Sequence, residues 1–213
     1  MRAVNYWVLP LNYFLGSLPC GLLVGFLVKG VDIRKYGSGN VGATNVSRVA
    51  GFLPALVAGV GDALKGFVGA YLATSFLPHP LLWFVGMFLV IAGHDWSVFL
   101  RFRGGKGVAT TLGILFYLSW QAALLCFLAW VVAVLLTRYS SLGSLAGALG
   151  MPIFLVLFGK PERFIAWGIF AAGMVFWRHK DNIVRLLQGR ELKIGQKGRE
   201  SNGKRDGTGW KEF

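Results

Sequence analysis

The chain has 213 residues, 55% of them hydrophobic and only 15% charged, with a mean hydropathy of +0.58. That composition excludes an ordinary soluble domain and points to a bilayer. The formal net charge of +13 lies mainly in connections and in the C-terminal tail, away from the apolar runs, as charge sorts when helices span and loops stay wet.

A span needs about 20 apolar residues, fewer where neighbouring helices shield it. On that criterion the sequence predicts helices at 4–28, 52–77, 81–100, 107–119, 121–137, 141–158 and 163–178. The fold class is therefore an all-α integral membrane protein, a seven-transmembrane-helix bundle. Asn5 and Asn12 interrupt the first run and no small-residue cleavage site follows it, so a retained helix is expected rather than a signal peptide. Between the first two spans runs Gly37-Ser38-Gly39-Asn40-Val41-Gly42-Ala43-Thr44-Asn45-Val46-Ser47-Arg48. Its glycines allow positive φ and close backbone approach, and its short polar side chains and arginine suit a phosphate. In the second span Asp62 and Lys65 are three apart, so they share a face and can neutralise each other at membrane depth. The alternative, an ion relay, would need further acids, and only Asp95 occurs in the other spans.

Leu77-Pro78-His79-Pro80, the Arg101 to Gly107 run, Ser119-Trp120-Gln121 and Gly159-Lys160-Pro161-Glu162 separate the later spans. Gly104-Gly105-Lys106-Gly107 is read as opening a helix, with free N–H groups and a lysine facing an anion. It is not a nucleotide loop, because Lys106 is followed by glycine, and the earlier glycine run has no strand before it. Cys20 and Cys126 lie in apolar runs and read as small core residues. No metal site, cofactor or nucleic-acid partner is implied; the partner is the lipid bilayer.

Lys29, Arg34, Lys35 and Arg48, then Arg101, Arg103 and Lys106, then Arg138 and the tail from Arg178 fall in alternate connections. The opposite side carries Arg2, Lys160 and Arg163. Basic loops stay inside, which places the N-terminus out and the C-terminus in the cytoplasm. Four polar clusters then share the cytoplasmic face: 38–48, 93–111, 138–144 and 178–185. Taken singly, these charges could be topogenic or bind headgroups, Ser141 and Ser144 could be packing serines, Ser140 a cap, and His94 structural. Asp95 is expected to orient a neighbour or a helix end. A transporter or channel for a phosphate-containing anion is the rival class, but it would place polar residues at mid-membrane or on the far side.

In this order and spacing the clusters resemble one family, the bacterial integral-membrane acyl-phosphate:glycerol-3-phosphate acyltransferases known as PlsY. The resemblance rests on S-G-N-x-G-A-T-N-x-x-R from Ser38 to Arg48, D-x-x-K-G from Asp62 to Gly66 and G-H-x4-F-x2-F-x-G-G-K-G-x-A-T from Gly93 to Thr110. R-x-x-S-x-x-S from Arg138 to Ser144 and H-x-x-N-I-x-R-L from His179 to Leu186 complete it. It implies an acyltransferase domain over 1–192, a basic and disordered tail over 193–213, and a monomer in the bacterial inner membrane with its site facing the cytoplasm. It also implies transfer of an acyl group from acyl phosphate to the 1-hydroxyl of sn-glycerol 3-phosphate, giving lysophosphatidic acid for phospholipid synthesis without a cofactor. By the same resemblance Ser38, Gly39, Asn40, Gly42, Thr44 and Asn45 wrap the acyl phosphate head. Arg48, Lys106, Ser141, Ser144, His179 and Asn182 clamp glycerol 3-phosphate, with His94, Gly104 and Gly105 also binding substrate. Ser38, Arg48, Lys106, His179 and Asn182 carry the chemistry. The proton acceptor is His179, His94 or the departing phosphate.

Overall fold

A computed structural model describes residues 5–196 of the chain. All regular structure among them is helical: α1 (Val8–Ser17), α2 (Cys20–Lys29), α3 (Ala43–Ala50), α4 (Phe52–Phe76), α5 (Pro80–Asp95), α6 (Val108–Leu118), α7 (Trp120–Thr137), α8 (Ser140–Leu157), α9 (Glu162–Arg178) and α10 (Lys180–Leu187). Two 3₁₀ turns, Ile33–Lys35 and Val98–Leu100, join them. Five segments are long and apolar enough to cross a membrane: Val8–Lys29, Phe52–Phe76, Pro80–Leu100, Trp120–Thr137 and Ser140–Leu157. Their outer faces expose Leu27, Leu53, Leu64, Leu136 and Leu157, which suits hydrocarbon. The helix expected over 4–28 is two helices. Pro19 lacks an amide hydrogen and disfavours helix at the residue before it, so the run breaks at Leu18-Pro19. Met1 to Val4, Arg2 among them, lie outside the described residues.

The core gathers Val8, Ile91, Ile114, Leu115, Leu155 and Trp167. Small residues let the helices close on one another: Gly66 of α4 abuts the Thr110 carbonyl, and Gly113 of α6 abuts that of Ala63. Asn12, one of the polar interruptions of the first run, is fully buried and donates to the carbonyls of Gly69 and Gly86, each at 3.0 Å. It thus ties α1 to α4 and α5. A smaller cluster of Ile33, Val41, Val46 and Leu100 underlies the glycine-rich segment. Cys126 is buried and Cys20 half-buried, both as free thiols.

α6 has 11 residues and is roughly 16 Å long, about half a hydrocarbon core. Its N-terminal connection, Gly104 to Gly107, therefore tucks against α5 and α9 instead of standing clear of the bundle. The chain ends of α5, α6, α8 and α9 and the start of α10 come together there, and that convergence makes the site.

Candidate functional site

The first cluster is a turn followed by a helix, where a loop was expected throughout: α3 begins at Ala43. Gly37 and Gly39 sit at φ +63° and +72°, a left-handed region open to glycine. Buried Asn45 closes the turn with its whole amide, accepting from Ser38 N at 2.8 Å and donating to the carbonyls of Ile33 at 2.9 Å and Tyr36 at 3.1 Å. Asn40 Oδ1 accepts from Gly42 N at 2.8 Å. Asn45, read from the sequence as a substrate ligand, thus holds the turn in shape and leaves exposed Ser38 and Gly39 at its tip. Thr44 Oγ1 and Ser140 Oγ lie 2.8 Å apart, which fastens the turn to α8. Ser140 makes this bond in place of the cap expected of it.

The second cluster departs from expectation. Helix α6 opens at Val108 behind Gly107, within one residue of the expected start, but Gly104 and Gly105 do not serve it as expected. The amides of Gly104 and Gly105, expected to face an anion, donate to the carbonyls of Asp95 at 3.1 Å and His94 at 2.9 Å. A β-carbon on Gly105 would collide with His94 Nε2. These glycines allow close approach to the end of α5. Arg178 Nη2 donates to the Gly105 carbonyl at 2.6 Å, and its Nε lies 3.4 Å from Asp95 Oδ2, so Asp95 holds a neighbour as expected. His94 belongs elsewhere than predicted: it is 7% exposed and its Nδ1 lies 2.8 Å from Lys65 Nζ. Lys65 in turn lies 2.8 Å from Asp62 and donates at 2.9 Å to the Leu18 carbonyl at the Pro19 break. An ammonium only donates, so Nδ1 is the acceptor and the imidazole proton sits on Nε2. The predicted Asp62–Lys65 pair exists, and His94 completes it rather than facing a ligand.

The third and fourth clusters meet at a residue that sequence reasoning passed over. Glu191 Oε1 accepts from Ser141 Oγ at 2.7 Å and from Asn182 Nδ2 at 2.6 Å, and Oε2 accepts from Arg185 Nε at 2.7 Å. Lys106 Nζ donates to Asn182 Oδ1. Arg48 Nη2 donates at 3.2 Å to the carbonyl of Leu192, and its buried Nε has no partner among the described residues. Arg48 thus reaches the segment after α10 directly, and Lys106 reaches it only through Asn182, whose amide Glu191 holds. Ser144 Oγ donates to the Ser140 carbonyl at 3.0 Å, so it braces α8. The signal for Glu191 was in the chain: it is the one acid between Asn182 and Arg199, set among Arg185, Arg190 and Lys193.

Burial and the neighbouring Arg185 push Lys106 down to about 8. Burial pulls the Arg48 guanidinium below its usual value, and Glu191 opposes it. Although burial works against it, Glu191 is held below the usual carboxylate range by bonds from Asn182, Arg185 and Ser141. His179 is pushed down to about 4, by burial first and then by Lys106. Its Nδ1 lies 2.8 Å from the Val175 carbonyl, which only accepts, so the ring proton is on Nδ1 and Nε2 keeps a lone pair.

A glycine turn braced by an asparagine, with Arg48, Lys106 and a serine–asparagine pair in one linked network, has the donors and charge that anionic groups require. The glycerol-3-phosphate acyltransferase family model matches residues 6–189. The chain belongs to that family. It is 45% identical over 185 residues to a glycerol-3-phosphate acyltransferase of Carboxydothermus hydrogenoformans, covering 87% of this chain and 94% of the relative. Against the Desulforamulus reducens protein of the same name it is 42% identical over 186 residues, covering 87% and 92%. Among solved structures it is similar to PlsY (YgiH), an integral membrane glycerol 3-phosphate acyltransferase, in its glycerol 3-phosphate form. There the TM-score is 0.82 at 39% identity, over 89% of this chain and 94% of that one. The lysophosphatidic acid form gives 0.81 at the same identity. This is an integral membrane acyltransferase, and the family match stops two residues short of Glu191.

Proposed function

We propose that this acyltransferase moves a fatty acyl group from acyl phosphate to the 1-hydroxyl of sn-glycerol 3-phosphate, releasing lysophosphatidic acid and phosphate. The observation that carries the reading is one linked network, in which Ser141 and Asn182 hold Glu191, Lys106 holds Asn182, and Arg48 holds the Leu192 carbonyl. The acyl phosphate head sits against Ser38, Gly39, Asn40 and Gly42, with Thr44 and Asn45 shaping that turn. Arg48 and Lys106 bind the phosphate of glycerol 3-phosphate, and Ser141, Asn182 and His179 fix its glycerol end.

Acyl phosphate is already an activated mixed anhydride, so alignment and charge stabilisation do most of the work. The acceptor oxygen bonds to the acyl carbon, the bond from that carbon to the phosphate oxygen breaks, and the hydroxyl proton passes to the departing phosphate. The two histidines support this route. His94 presents a protonated Nε2 and has no free lone pair. His179 offers a lone pair that orients the hydroxyl, but a base at about 4 is weaker than a phosphate, whose second ionisation lies at about 6.

The bundle crosses the inner membrane seven times as a monomer, N-terminus out, through α1–α2, α4, α5, α6, α7, α8 and α9. Support comes from the basic residues of alternate connections and from the site's position among them. Purified protein tests the activity: phosphate released from acyl phosphate only when glycerol 3-phosphate is present supports it. Uptake of a phosphate-containing anion into vesicles without such release would overturn it in favour of a transporter.

A further inference from the structure

The residues that clamp the acceptor in the proposed reaction are occupied by the chain itself. Beyond α10 the backbone turns at Gly189, φ +66°, runs along the site and turns again at Gly195, φ +84°. Between these two glycine hinges lies a strap, Arg190 to Ile194. Its Glu191 carboxylate takes the Ser141 hydroxyl, the Asn182 amide and the Arg185 guanidinium, and its Leu192 carbonyl takes Arg48. The far end is pinned to the start of α8: Ile194 N donates to the Arg138 carbonyl at 2.8 Å, and Arg138 Nη2 donates to the Ile194 carbonyl at 3.2 Å. Lys193 Nζ stands 5.5 Å over the Tyr139 ring. The Glu191 side chain is 6% exposed, although the chain leading to it over 188–190 is exposed.

We propose that the Glu191 strap is an autoinhibitory contact: a tethered carboxylate that holds the Ser141–Asn182 end of the acceptor's seat, with the neighbouring Leu192 carbonyl on Arg48, and must be displaced by glycerol 3-phosphate. The inference rests on the acceptor role of Arg48, Lys106, Ser141 and Asn182 argued above. A carboxylate and a phosphate make the same demands, oxygen acceptors with negative charge for guanidinium, ammonium, hydroxyl and amide donors. Both anions cannot hold those donors together. The strap therefore sets a threshold. Inorganic phosphate gains only Arg48 and Lys106 when the strap opens, whereas glycerol 3-phosphate also gains Ser141 and Asn182. The device keeps Arg48, Ser141 and Asn182 hydrogen-bonded in the empty enzyme. Apparent affinity then falls in proportion to the fraction of protein whose strap is open.

The probes are glycerol 3-phosphate and inorganic phosphate, titrated calorimetrically against purified full-length protein and Glu191→Gln, which keeps the side chain's shape and removes its charge. The amide variant is expected to bind both anions about tenfold more tightly, by a similar factor for each, because each must open the strap. Wild-type protein supplies a second readout that needs no variant. Saturating glycerol 3-phosphate is expected to speed hydrogen exchange of the Leu192 to Ile194 amides several-fold, because the strap leaves its anchors. If wild type binds glycerol 3-phosphate while these amides keep or gain protection, the strap is a fixed wall and the inference fails. It fails equally if a folded Glu191→Gln protein binds both anions no better than wild type. If wild type binds no glycerol 3-phosphate, the acceptor reading itself falls, and the seat with it.

Discussion

Two clusters of charge lie within this bundle, and they are built to opposite ends. Asp62, Lys65 and His94 form a closed set: one acid, one ammonium and one imidazole acceptor, 2%, 4% and 7% exposed, with the surplus ammonium hydrogen on the Leu18 carbonyl. The set around Glu191 is open: the carboxylate pairs with Arg185, while Arg48 reaches only the neutral Leu192 carbonyl and Lys106 only the Asn182 amide oxygen. Arg48 and Lys106 have no ion pair among the described residues, which suits an anion. A closed cluster stabilises helices in lipid, while an unbalanced one stores the capacity to take a ligand. The comparison teaches that counting partners, more than burial or motif, separates a structural charge from a functional one.

The largest expected effect tests the closed half. Asp62→Ala leaves Lys65 buried without its counter-ion, and removing one partner of a buried pair costs about 3–5 kcal/mol, read as loss of thermal stability in detergent. Replacing both partners together, Asp62→Asn with Lys65→Met, is expected to recover most of that stability and to retain acyl transfer. A double variant that folds normally but has no activity would break the comparison, because the cluster would then be an ion relay.

Next comes the open half. Arg48→Ala and Lys106→Ala are each expected to lower kcat/KM for glycerol 3-phosphate by about 10²–10³, the usual loss when a preorganised charge donor is removed. Their melting temperatures are expected to move little, because each cation is desolvated and only partly paired. Equal losses of stability and activity in these variants would mean that the two clusters do not differ as argued.

The sequence made the all-helical membrane class and the closed pair legible, because hydropathy and an i, i+3 spacing are local signals, while five of the seven expected spans are long and apolar enough to cross among the described residues. The open cluster was legible only by halves. Arg48, Lys106, Ser141 and Asn182 carry motif chemistry, but Glu191, which joins Ser141 to Asn182, lies 50 residues from Ser141, and pairing at that separation leaves no periodic trace. Glycines misled in a physical way: a residue without a side chain serves ligand approach and backbone packing alike, so Gly104 and Gly105 looked like anion donors although their amides bind α5. His94 was misplaced because its partner Lys65 sits on another helix. The tail was expected from residue 193, yet Lys193 to Gln196 are described and Ile194 is hydrogen-bonded. Residues 197–213 lie outside the described residues.

Asn45→Ala probes the support beneath the open half. It removes three bonds that hold the Ser38 turn, each worth about 0.5–1.5 kcal/mol net. The expected result is a loss of about 1.5–4.5 kcal/mol in stability together with a raised KM for acyl phosphate. Asn45→Asp keeps the acceptor for Ser38 N but sets a buried carboxylate oxygen against the Ile33 and Tyr36 carbonyls, so it should lose at least as much as Asn45→Ala. An unchanged KM in either would mean that the turn does not hold the donor.

The gentlest probe is pH, and it separates activity from stability by sign. Lys106 is lowered from 10.5 to about 8, so its ammonium is lost as pH rises through 8. Each pH unit beyond that removes about nine-tenths of the remaining charged form, and KM for glycerol 3-phosphate is expected to climb about tenfold per unit. The unfolded chain still holds that proton up to about 10.5, so between 8 and 10.5 the folded state binds fewer protons than the unfolded one. Stability then rises with pH through this group, because deprotonation relieves a buried charge. Alkaline pH should therefore weaken substrate binding while the melting temperature holds or gains, and Lys106→Met should abolish both trends. The closed cluster has no part in this window, so Asp62→Asn with Lys65→Met should keep the alkaline limb, and its disappearance there would show that the two halves are coupled through His94 and Gly105.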